Sequence, residues 1–335
     1  MPHESATLTI AIPTYGRPEE LRRCVQLLRQ QSNPHFHLLV LDNASPVEAS
    51  SALSGLIEAF PALSVRIVRN LANIGGDANI LRCFELCQTP FLWVIGDDDE
   101  PLPDAVETIL HCISETPDAL FLNFASDLYN RTTATVSHSL DDFVFAIDSY
   151  SNVLFISTSV FRRESLIAEI ASGYHYIYSM AAQLVLVLKA LSKKPGKCLF
   201  LKSRIVRWAV PDQGIAWSGV RQMLGVGMLL DLPLSARARR RLAWLITSPR
   251  ALETIAVQLI TYISRSGDTA GARHAFNQVY GRVLKQSGRR FLFLRFILYR
   301  ELLFRFPSAG LRAFRWMSSR TGRGEAAFHF RDPFR

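Results

Sequence analysis

Short apolar runs alternate with helix-like spacing over the first third of the chain. Four of these runs have the length of buried strands: residues 8–13, 37–41, 64–68 and 91–95. Between them, apolar residues at helical spacing predict three helices: residues 19–31, 51–60 and 79–87. This alternation predicts an α/β fold with a largely parallel sheet and a ligand crevice at the carboxyl ends of its strands.

The pattern changes along the rest of the chain. A helix ending near residue 114 continues the alternation, and three further apolar runs predict strands that complete a mixed sheet: residues 119–124, 143–147 and 153–161. From about Gly173 the spacing is helical and predicts these helices: 176–192, 218–231, 236–246, 249–265, 269–286 and 289–306. We therefore expect an α/β domain over residues 1–215 and an α-helical region over residues 216–335.

The composition describes a globular protein of a reducing compartment. The chain has 335 residues, of which 49% are hydrophobic, enough for one large core or two smaller ones. Its five cysteines lack the spacing of a zinc site or a disulfide framework. No secretory signal opens the sequence, and no apolar stretch reaches about 18 residues, the length of a spanning helix. We expect a cytoplasmic protein, with any membrane contact peripheral on the inner face of the cytoplasmic membrane.

The positive charge is concentrated at the C-terminal end. Residues 285–335 hold 12 Lys and Arg against three acids, a net charge of +9 that equals that of the whole chain. Within this tail, residues 289–306 have the pattern of a basic amphipathic helix, with Arg295 on the apolar arc as the exception. Such a helix suits an anionic membrane surface, and it suits equally a helix packed on the protein or on a partner. No nucleic-acid motif accompanies it, so we expect no nucleic-acid partner.

Three consecutive carboxylates, Asp97, Asp98 and Asp99, follow the strand predicted at residues 91–95, and we call them the acidic triplet. Adjacent carboxylates raise each other's pKa unless a cation or hydrogen-bond donors compensate. Hard oxygen ligands on a short loop suit Mg²⁺ or Mn²⁺, which also bind a substrate diphosphate. The alternative is a solvated acidic turn that caps the next helix.

Polar residues also follow the other predicted strands. Asp42 follows the second strand, where an acid commonly contacts a nucleobase or a ribose, although the composition DNAS also suits an Asx-turn. The segment at residues 70–79, NLANIGGDAN, has paired glycines that can bring backbone close to a ligand, but it forms neither GxGxxG nor a P-loop. Because parallel strands end at the same edge of a sheet, we expect these segments to converge with the acidic triplet on one cleft.

Four segments occur in the order and approximate spacing of one enzyme family: TIAIPTYGRP, VLDNAS, NLANIGGDAN and FLWVIGDDDEPLPDA. On these segments, which cover about the first 115 residues, the chain resembles the family-2 glycosyltransferases of the GT-A fold. The resemblance implies a Rossmann-related, mostly parallel mixed sheet and a nucleotide-diphosphate sugar as donor. The segment STSVFRRE at residues 157–164 also looks like the acceptor-side strand and turn of the family.

The resemblance also implies roles for individual residues. Pro13, Thr14 and Tyr15 would line the nucleoside pocket, and Asp42 would contact the base. Asp97 would lie near the ribose and the metal, and Asp99 would ligate the Mn²⁺ or Mg²⁺ that bridges the donor diphosphate. It assigns five further residues to donor binding: Arg17, Asn43, Asn73, Gly75 and Asp98.

The catalytic base of the family is not evident in this sequence. Such enzymes often carry a Glu-Asp pair that deprotonates the acceptor hydroxyl, and aligning Gly173 and Tyr174 puts Ala181 and Ala182 at that position. His175 is the nearest titratable residue and is the candidate base, although an isolated histidine in the aromatic stretch GYHYIY also suits a structural role. Two acids are alternatives that the sequence does not rank: Asp148 and Asp212.

These expectations combine into one function. The sequence favours a metal-dependent glycosyltransferase that acts on a lipid-linked or polysaccharide acceptor, and inversion of configuration is implied by the resemblance. One rival is a nucleotidyltransferase, which would usually carry a Gly-rich basic loop after the first strand, where IPTYGRPEE has a single glycine. The other is a catalytically inactive nucleotide-sugar-binding or scaffold protein. The sugar, the nucleotide, the acceptor and the oligomeric state stay open.

Overall fold

A computed structural model describes the following parts of the chain: residues 6–58, 64–127, 129–208, 225–247, 267–275 and 281–288, with residues 305, 306, 309 and 312. The chain divides into two compact units. The first comprises residues 1–177, 181–215 and 232–235, and the second comprises residues 178–180, 216–231 and 236–335. The predicted helix at residues 249–265, and that at 289–306 apart from its last two residues, lie outside the described parts.

An eight-stranded sheet, accompanied by a two-stranded pair, organises the first unit. The strands have these bounds: β1 Leu8–Thr14, β2 His37–Asp42, β3 Ser64–Arg69, β4 Phe91–Val94, β5 Glu100–Pro101, β6 Ala119–Ala125, β7 Thr135–Ser137, β8 Ser159–Arg162, β9 Lys197–Arg204 and β10 Val206–Arg207. The order in the large sheet is β3-β2-β1-β4-β8-β6-β9-β7, and β5 pairs with β10. Strands β1 to β4 are parallel, as are β6 and β9, whereas β8 lies antiparallel between β4 and β6. The predicted mostly parallel mixed sheet is therefore confirmed.

The register of the parallel strands aligns their last residues. Thr14 pairs with Asp42, and Asp42 pairs with Arg69, so the ends of β1, β2 and β3 form one row. Ala11 pairs with Val94, the last residue of β4, and three residues further along the chain from each come Thr14 and Asp97. Both β1 and β2 are buried almost throughout, as expected for parallel strands covered on both faces.

The helices of the first unit have these bounds: α1 Pro18–Arg29, α2 Ala49–Ala52, α3 Gly76–Leu86, α4 Ala105–Glu115, α5 Leu140–Ala146, α6 Tyr150–Leu154, α7 Arg163–Leu166, α8 Ile170–His175 and α9 Ala182–Lys193. Helix α1 starts at a proline, which has no N–H to leave unsatisfied at a helix start. Its apolar residues at helical spacing are buried: Leu21, Cys24, Val25 and Leu28. The face predicted from the sequence for this helix is therefore the face that packs on the core.

The described helices of the second unit are α10 Ala236–Ile246, α11 Thr269–Ala275 and α12 Gly281–Ser287. Helix α10 packs against α12, and both bury aliphatic residues, among them Leu242 and Leu284. An ion pair joins Arg282 in α12 to Asp231. None of the helices in the described parts of the chain is long and apolar enough to cross a membrane.

Two predicted strands are wrong in whole or in part. Residues 143–147 lie almost entirely in α5, because the Ser139 hydroxyl accepts a hydrogen bond of 3.1 Å from the Asp142 N–H and so caps a helix start. Of residues 153–161, the first part completes α6 and a 3-10 turn at Ile156–Thr158, and strand β8 begins only at Ser159. Apolar composition identified these segments as buried but did not determine their backbone.

Three helical predictions are also wrong in whole or in part. The helix predicted at residues 51–60 is shorter, because α2 ends at Ala52 and turns follow to residue 58. Within these turns Gly55 has a φ of 72°, which a continuing α-helix does not allow. The chain beyond Gly173 is not wholly helical, because residues 197–204 form β9 between β6 and β7. In the helix predicted at residues 176–192, the regular part begins only at Ala182.

The aromatic core of the sheet gives a test of this packing. Phe121 is 2% exposed and its ring lies 5.5 to 6.2 Å from those of Phe143, Phe161 and Phe200. We predict that Phe121→Ala lowers the free energy of unfolding by about 3–5 kcal/mol, because the cavity it leaves cannot fully collapse. Phe145→Ala, at a ring that is 38% exposed, is the matched control and should lose clearly less in urea unfolding. Equal losses would contradict the packing described.

Candidate active site

The loops that follow β1, β2, β3 and β4 are joined by hydrogen bonds at one edge of the sheet. The Gly16 N–H donates to the Ser45 hydroxyl at 3.0 Å, which links the first two loops. The Asn43 amide donates to Asn73 at 2.9 Å, which links the second and third. Thr14 and Arg17 link the first loop to the acidic triplet after β4. The residues expected to converge on one cleft are therefore held together by direct contacts.

Each carboxylate of the acidic triplet is bound by a different set of donors. Asp97 accepts from the Thr14 hydroxyl at 2.7 Å and from the Arg17 guanidinium at 3.0 Å. The same guanidinium nitrogen of Arg17 contacts Asp98 at 2.7 Å. Asp99 accepts from the Ser157 hydroxyl at 2.6 Å. The donors come from the end of β1, the residue before α1 and the turn before β8, so Asp97 and Asp98 are joined through Arg17 while Asp99 is held separately by Ser157.

Burial dominates the electrostatics of the triplet. Asp97 and Asp99 are each 5% exposed. Desolvation raises the pKa of Asp97 to about 6, while Arg17 and the Thr14 hydroxyl oppose that rise and Asp98 adds to it. The pKa of Arg17 is raised because the two carboxylates outweigh its own desolvation. The expected increase in pKa is thus present at Asp97, but its main cause is burial and not repulsion by its neighbours.

The carboxylates of the acidic triplet suit a metal ion that takes most of its ligands from waters and from substrate phosphates. Among the described residues, no group of three or more His, Cys, Asp or Glu side chains is arranged to hold a metal ion alone. Mg²⁺ and Mn²⁺ do not require such a cage, since they bind through one or two carboxylates, waters and substrate phosphates. Asp97 and Asp98 share one guanidinium within the described residues, so this pair keeps a net negative charge. The residues present therefore fit a divalent cation bound with a diphosphate.

Asp42 organises the loop that follows β2. It is 1% exposed, and its carboxylate accepts from the Ser45 N–H at 2.8 Å, the Ala49 N–H at 3.2 Å and the Arg69 guanidinium at 2.5 Å. Desolvation would raise its pKa, but these hydrogen bonds outweigh it and hold the pKa of Asp42 below its usual value. The Asp42 carboxylate thus has the structural role in its loop that the Asx-turn expectation implied, although it bonds the N–H groups three and seven residues on and not two. Any contact with a nucleobase would be additional to these bonds.

A ladder of asparagine amides extends along the same edge. Asn70 donates to Asn43 at 2.9 Å and to Asn79 at 2.8 Å, and Asn79 donates to the Leu41 carbonyl at 3.0 Å. The Asn73 side chain accepts from the N–H of Gly75, whose φ is 87°. The predicted residues Asn43, Asn73 and Gly75 thus shape the loop before α3. Asn70 and Arg69, which complete these contacts, have no individual signal as site residues in the sequence.

The remaining predicted residues differ in their surroundings. Tyr15 is 48% exposed beside the triplet's partners, and Pro13 is half-buried in β1. His175 is exposed at the end of α8, its ring against Tyr176, and no hydrogen bond among the described residues joins it to the triplet. Both oxygens of Asp148 accept hydrogen bonds from Arg131, at 2.7 and 3.0 Å. Asp212 lies outside the described residues.

Comparison with known sequences gives a family match. Residues 9–167 match the model of the family described as glycosyl transferase family 2. An uncharacterized glycosyltransferase of Haemophilus influenzae is 24% identical over 115 residues, which are 34% of this chain and 37% of that protein. Uncharacterized protein MT1568 of Mycobacterium tuberculosis is 22% identical over 102 residues, 30% of this chain and 31% of that protein. The chain spans about a third of the length of the curated relatives it matches.

Solved structures share the fold. Residues 1–349 of S. aureus TarS have a TM-score of 0.55 at 13% identity, covering 95% of this chain and 92% of that chain. The same protein in complex with UDP-GlcNAc has a TM-score of 0.55 at 12% identity, with the same coverage. Mannosyltransferase PcManGT from Pyrobaculum calidifontis, in complex with GDP-Man and Mn²⁺, has a TM-score of 0.50 at 14% identity, covering 91% and 89%. These likenesses confirm the expected GT-A-like fold and, at such identities, nothing further.

The buried contacts of Asp42 predict a pH dependence of stability. A carboxyl whose folded pKa is lowered stabilises the protein above its unfolded pKa of about 3.9, and this contribution is lost as the pH falls through the folded value. We predict that Asp42→Asn is less stable than wild type by about 1–3 kcal/mol at pH 6. The difference should shrink as the pH falls from about 5 to 3, measured by urea unfolding. Asp118→Asn, at a side chain that is 70% exposed, should stay close to wild type throughout. A pH-independent deficit in Asp42→Asn would contradict the ionised role.

Proposed function

This chain belongs to glycosyl transferase family 2 through residues 9–167, and on that premise we propose that it transfers a sugar from a nucleoside-diphosphate sugar to an acceptor hydroxyl. The observation that supports this most directly is the acidic triplet at the edge where the first three strand-end loops also meet. Carboxylates, amides and backbone N–H groups on neighbouring loops suit a ligand with a base, a ribose and a metal-bound diphosphate.

The donor proposal draws on the ligands of the structural neighbours. The TarS structure holds UDP-GlcNAc, and the PcManGT structure holds GDP-Man and Mn²⁺. We assign the corresponding donor site of this chain to the ends of β1 to β4 and the loops that follow them, with these residues lining it: Pro13, Thr14, Tyr15, Arg17, Asp42, Asn43, Asn73, Gly75 and Asp98. Tyr15 offers an exposed ring on which a base can stack.

Asp97 and Asp99 would hold the Mn²⁺ or Mg²⁺. When bound, this cation would neutralise the charge that develops on the departing nucleoside diphosphate. Thr14 and Arg17 fix the Asp97 carboxylate, and Ser157 fixes that of Asp99, so both ligands are oriented before the donor arrives. Inversion of configuration requires a base on the acceptor side, and His175 is our candidate because its imidazole is exposed at the end of α8.

A second candidate function is supported by one observation. Ala181 and Ala182 are both fully buried where members of the family often carry an acidic pair. A chain without that pair could bind a nucleotide sugar and not turn it over, as a binding or scaffold protein would. Release of nucleoside diphosphate from the bound donor, with and without added glycan acceptors, separates the two functions.

For the acceptor, we propose a lipid-linked or polysaccharide glycan at an anionic membrane surface. The support is the net charge of +9 in residues 285–335, together with the basic amphipathic pattern of residues 289–306. The enzyme would then act from the cytoplasm as a peripheral protein.

The donor and the metal can be tested without an acceptor. Thermal shifts with UDP-, dTDP-, GDP- and CDP-sugars, with and without Mn²⁺, should reveal one nucleotide class that stabilises the protein by about 2.7 kcal/mol at 100 times its Kd. We predict that Asp99→Asn keeps its fold but loses the Mn²⁺-dependent part of this shift and loses transfer, because a neutral amide is a poor replacement for an anionic ligand. Asp118→Asn, at an exposed site, is the matched control. Full transfer in EDTA, or no stabilisation by any nucleotide sugar, would refute the proposal.

The membrane proposal has its own test. Each Lys or Arg near an anionic bilayer adds about 1 kcal/mol, so replacing both Arg289 and Arg290 by Gln should weaken partition to anionic liposomes roughly 30-fold. The double variant at the exposed Lys194 and Lys202, also changed to Gln, is the matched control and should bind as wild type does. Sedimentation with liposomes measures both. Binding that ignores salt and both double variants would remove the electrostatic role of the tail. No binding to anionic liposomes at any salt concentration would remove the membrane proposal and leave the donor proposal intact.

A further inference from the structure

Ser157 makes three hydrogen bonds around the acidic triplet. Its hydroxyl donates to Asp99 at 2.6 Å and accepts from the Gly96 N–H at 2.9 Å, and its carbonyl accepts from the Trp93 indole at 2.8 Å. Because the hydroxyl accepts from Gly96, its single hydrogen is directed to Asp99. Ser157 therefore clamps both ends of the loop that carries the triplet.

The loop itself leaves little room for other arrangements. A side-chain carbon at Gly96 would lie 2.8 Å from one oxygen of Asp99 and 3.0 Å from one oxygen of Asp98. Ser157 is fully buried, and its indole partner Trp93 is a fully buried residue of β4. Buried protein groups, and not solvent, therefore set the orientation of the Asp99 carboxylate.

A buried polar network holds the turn that carries Ser157. Next to it, the Thr158 hydroxyl accepts from the Asn123 amide at 3.0 Å. The side-chain oxygen of Asn123 accepts hydrogen bonds from the Asn152 amide at 3.0 Å and from the Arg131 guanidinium at 2.8 Å. All of these residues are buried, so the network is shielded from bulk solvent.

Arg131 anchors this network. Its residue is 4% exposed, and each of its five N–H donors has an acceptor. Two go to Asp148, two to the backbone carbonyls of Asn123 and Leu201, and one to the Asn123 side chain. A buried guanidinium satisfied in this way is fixed in position, because any movement would leave a donor unpaired.

We infer that Ser157 is a positioning residue that orients Asp99 toward the divalent cation, and that the Arg131–Asn123 network holds Ser157 in place. This inference rests on the proposed metal role of Asp99. Partners that orient metal ligands from behind typically change metal affinity about 10- to 100-fold when removed. A role of this kind predicts an effect on the metal and not on the nucleotide by itself.

The test compares Ser157→Ala with Ser159→Ala in the full chain. Ser159 is equally buried two residues away and bonds to Asn123 at 3.1 Å, so it controls for the loss of a buried hydroxyl in the same network. We expect Ser157→Ala to bind Mn²⁺ about 10- to 100-fold more weakly in the presence of UDP, measured by electron paramagnetic resonance of free Mn²⁺. UDP affinity in EDTA should be unchanged. In transfer assays the KM for Mn²⁺ should rise while kcat at saturating Mn²⁺ stays near that of wild type.

Ser157→Cys provides a second variant in case the alanine does not fold, since a thiol fills the site but donates weakly. Its Mn²⁺ affinity should fall in the same direction. Wild-type affinity in a folded Ser157→Ala or Ser157→Cys protein, or an equal loss in Ser159→Ala, would overturn the inference while leaving the proposed function standing. Failure of the wild-type protein to bind Mn²⁺ with any nucleoside diphosphate would instead remove the proposed function on which the inference rests.

Discussion

Three carboxylates on consecutive residues can be buried at the end of a strand only if other parts of the chain supply donors to them. In this protein the donors are Thr14 and Arg17 on one side and Ser157 on the other, and they belong to the two strands that flank β4 or to the segments next to them. Because β1 and β8 lie on either side of β4, the acidic triplet can be buried with each of its carboxylates bound by a hydrogen-bond donor. An order that placed any other strand beside β4 would leave at least one of these acids without its donor.

The same order explains why the site combines two kinds of environment. The side of β1, β2 and β3 is parallel, and its aligned strand ends place amides and backbone N–H groups in one row. The side of β8 is antiparallel, so the chain approaches Asp99 from the beginning of a strand, through the turn at Ile156–Thr158. We assign donor binding to the first side, and the buried network around Arg131 stiffens the second.

Much of the parallel half could be predicted because its strands are short apolar runs that end at polar turns. The four predicted strands β1 to β4 and the buried face of α1 follow directly from that pattern. The antiparallel half could not be predicted in the same way. Residues 143–147 are as apolar as a strand, yet Ser139 caps a helix there. Strand β9 buries only three consecutive residues, 198–200, before its exposed end, a run too short to identify a strand by itself. Site residues showed the same division: Asp97 and Asp42 were visible as acids after strands, whereas Ser157 is one hydroxyl in a run of several and only its partner in space reveals its role.

The donors to the acidic triplet are also far from it along the chain, which has a consequence for how the protein folds. Arg17 and Thr14 precede Asp97 by 80 and 83 residues, and Ser157 follows Asp99 by 58. No local structure can therefore relieve the burial of these acids, and the loop stays hydrated until β1, β4 and β8 have come together. Closing such long loops is slow compared with helix formation. We therefore expect the acidic loop to form late in folding, with the desolvation of Asp97 accompanying the completion of the sheet.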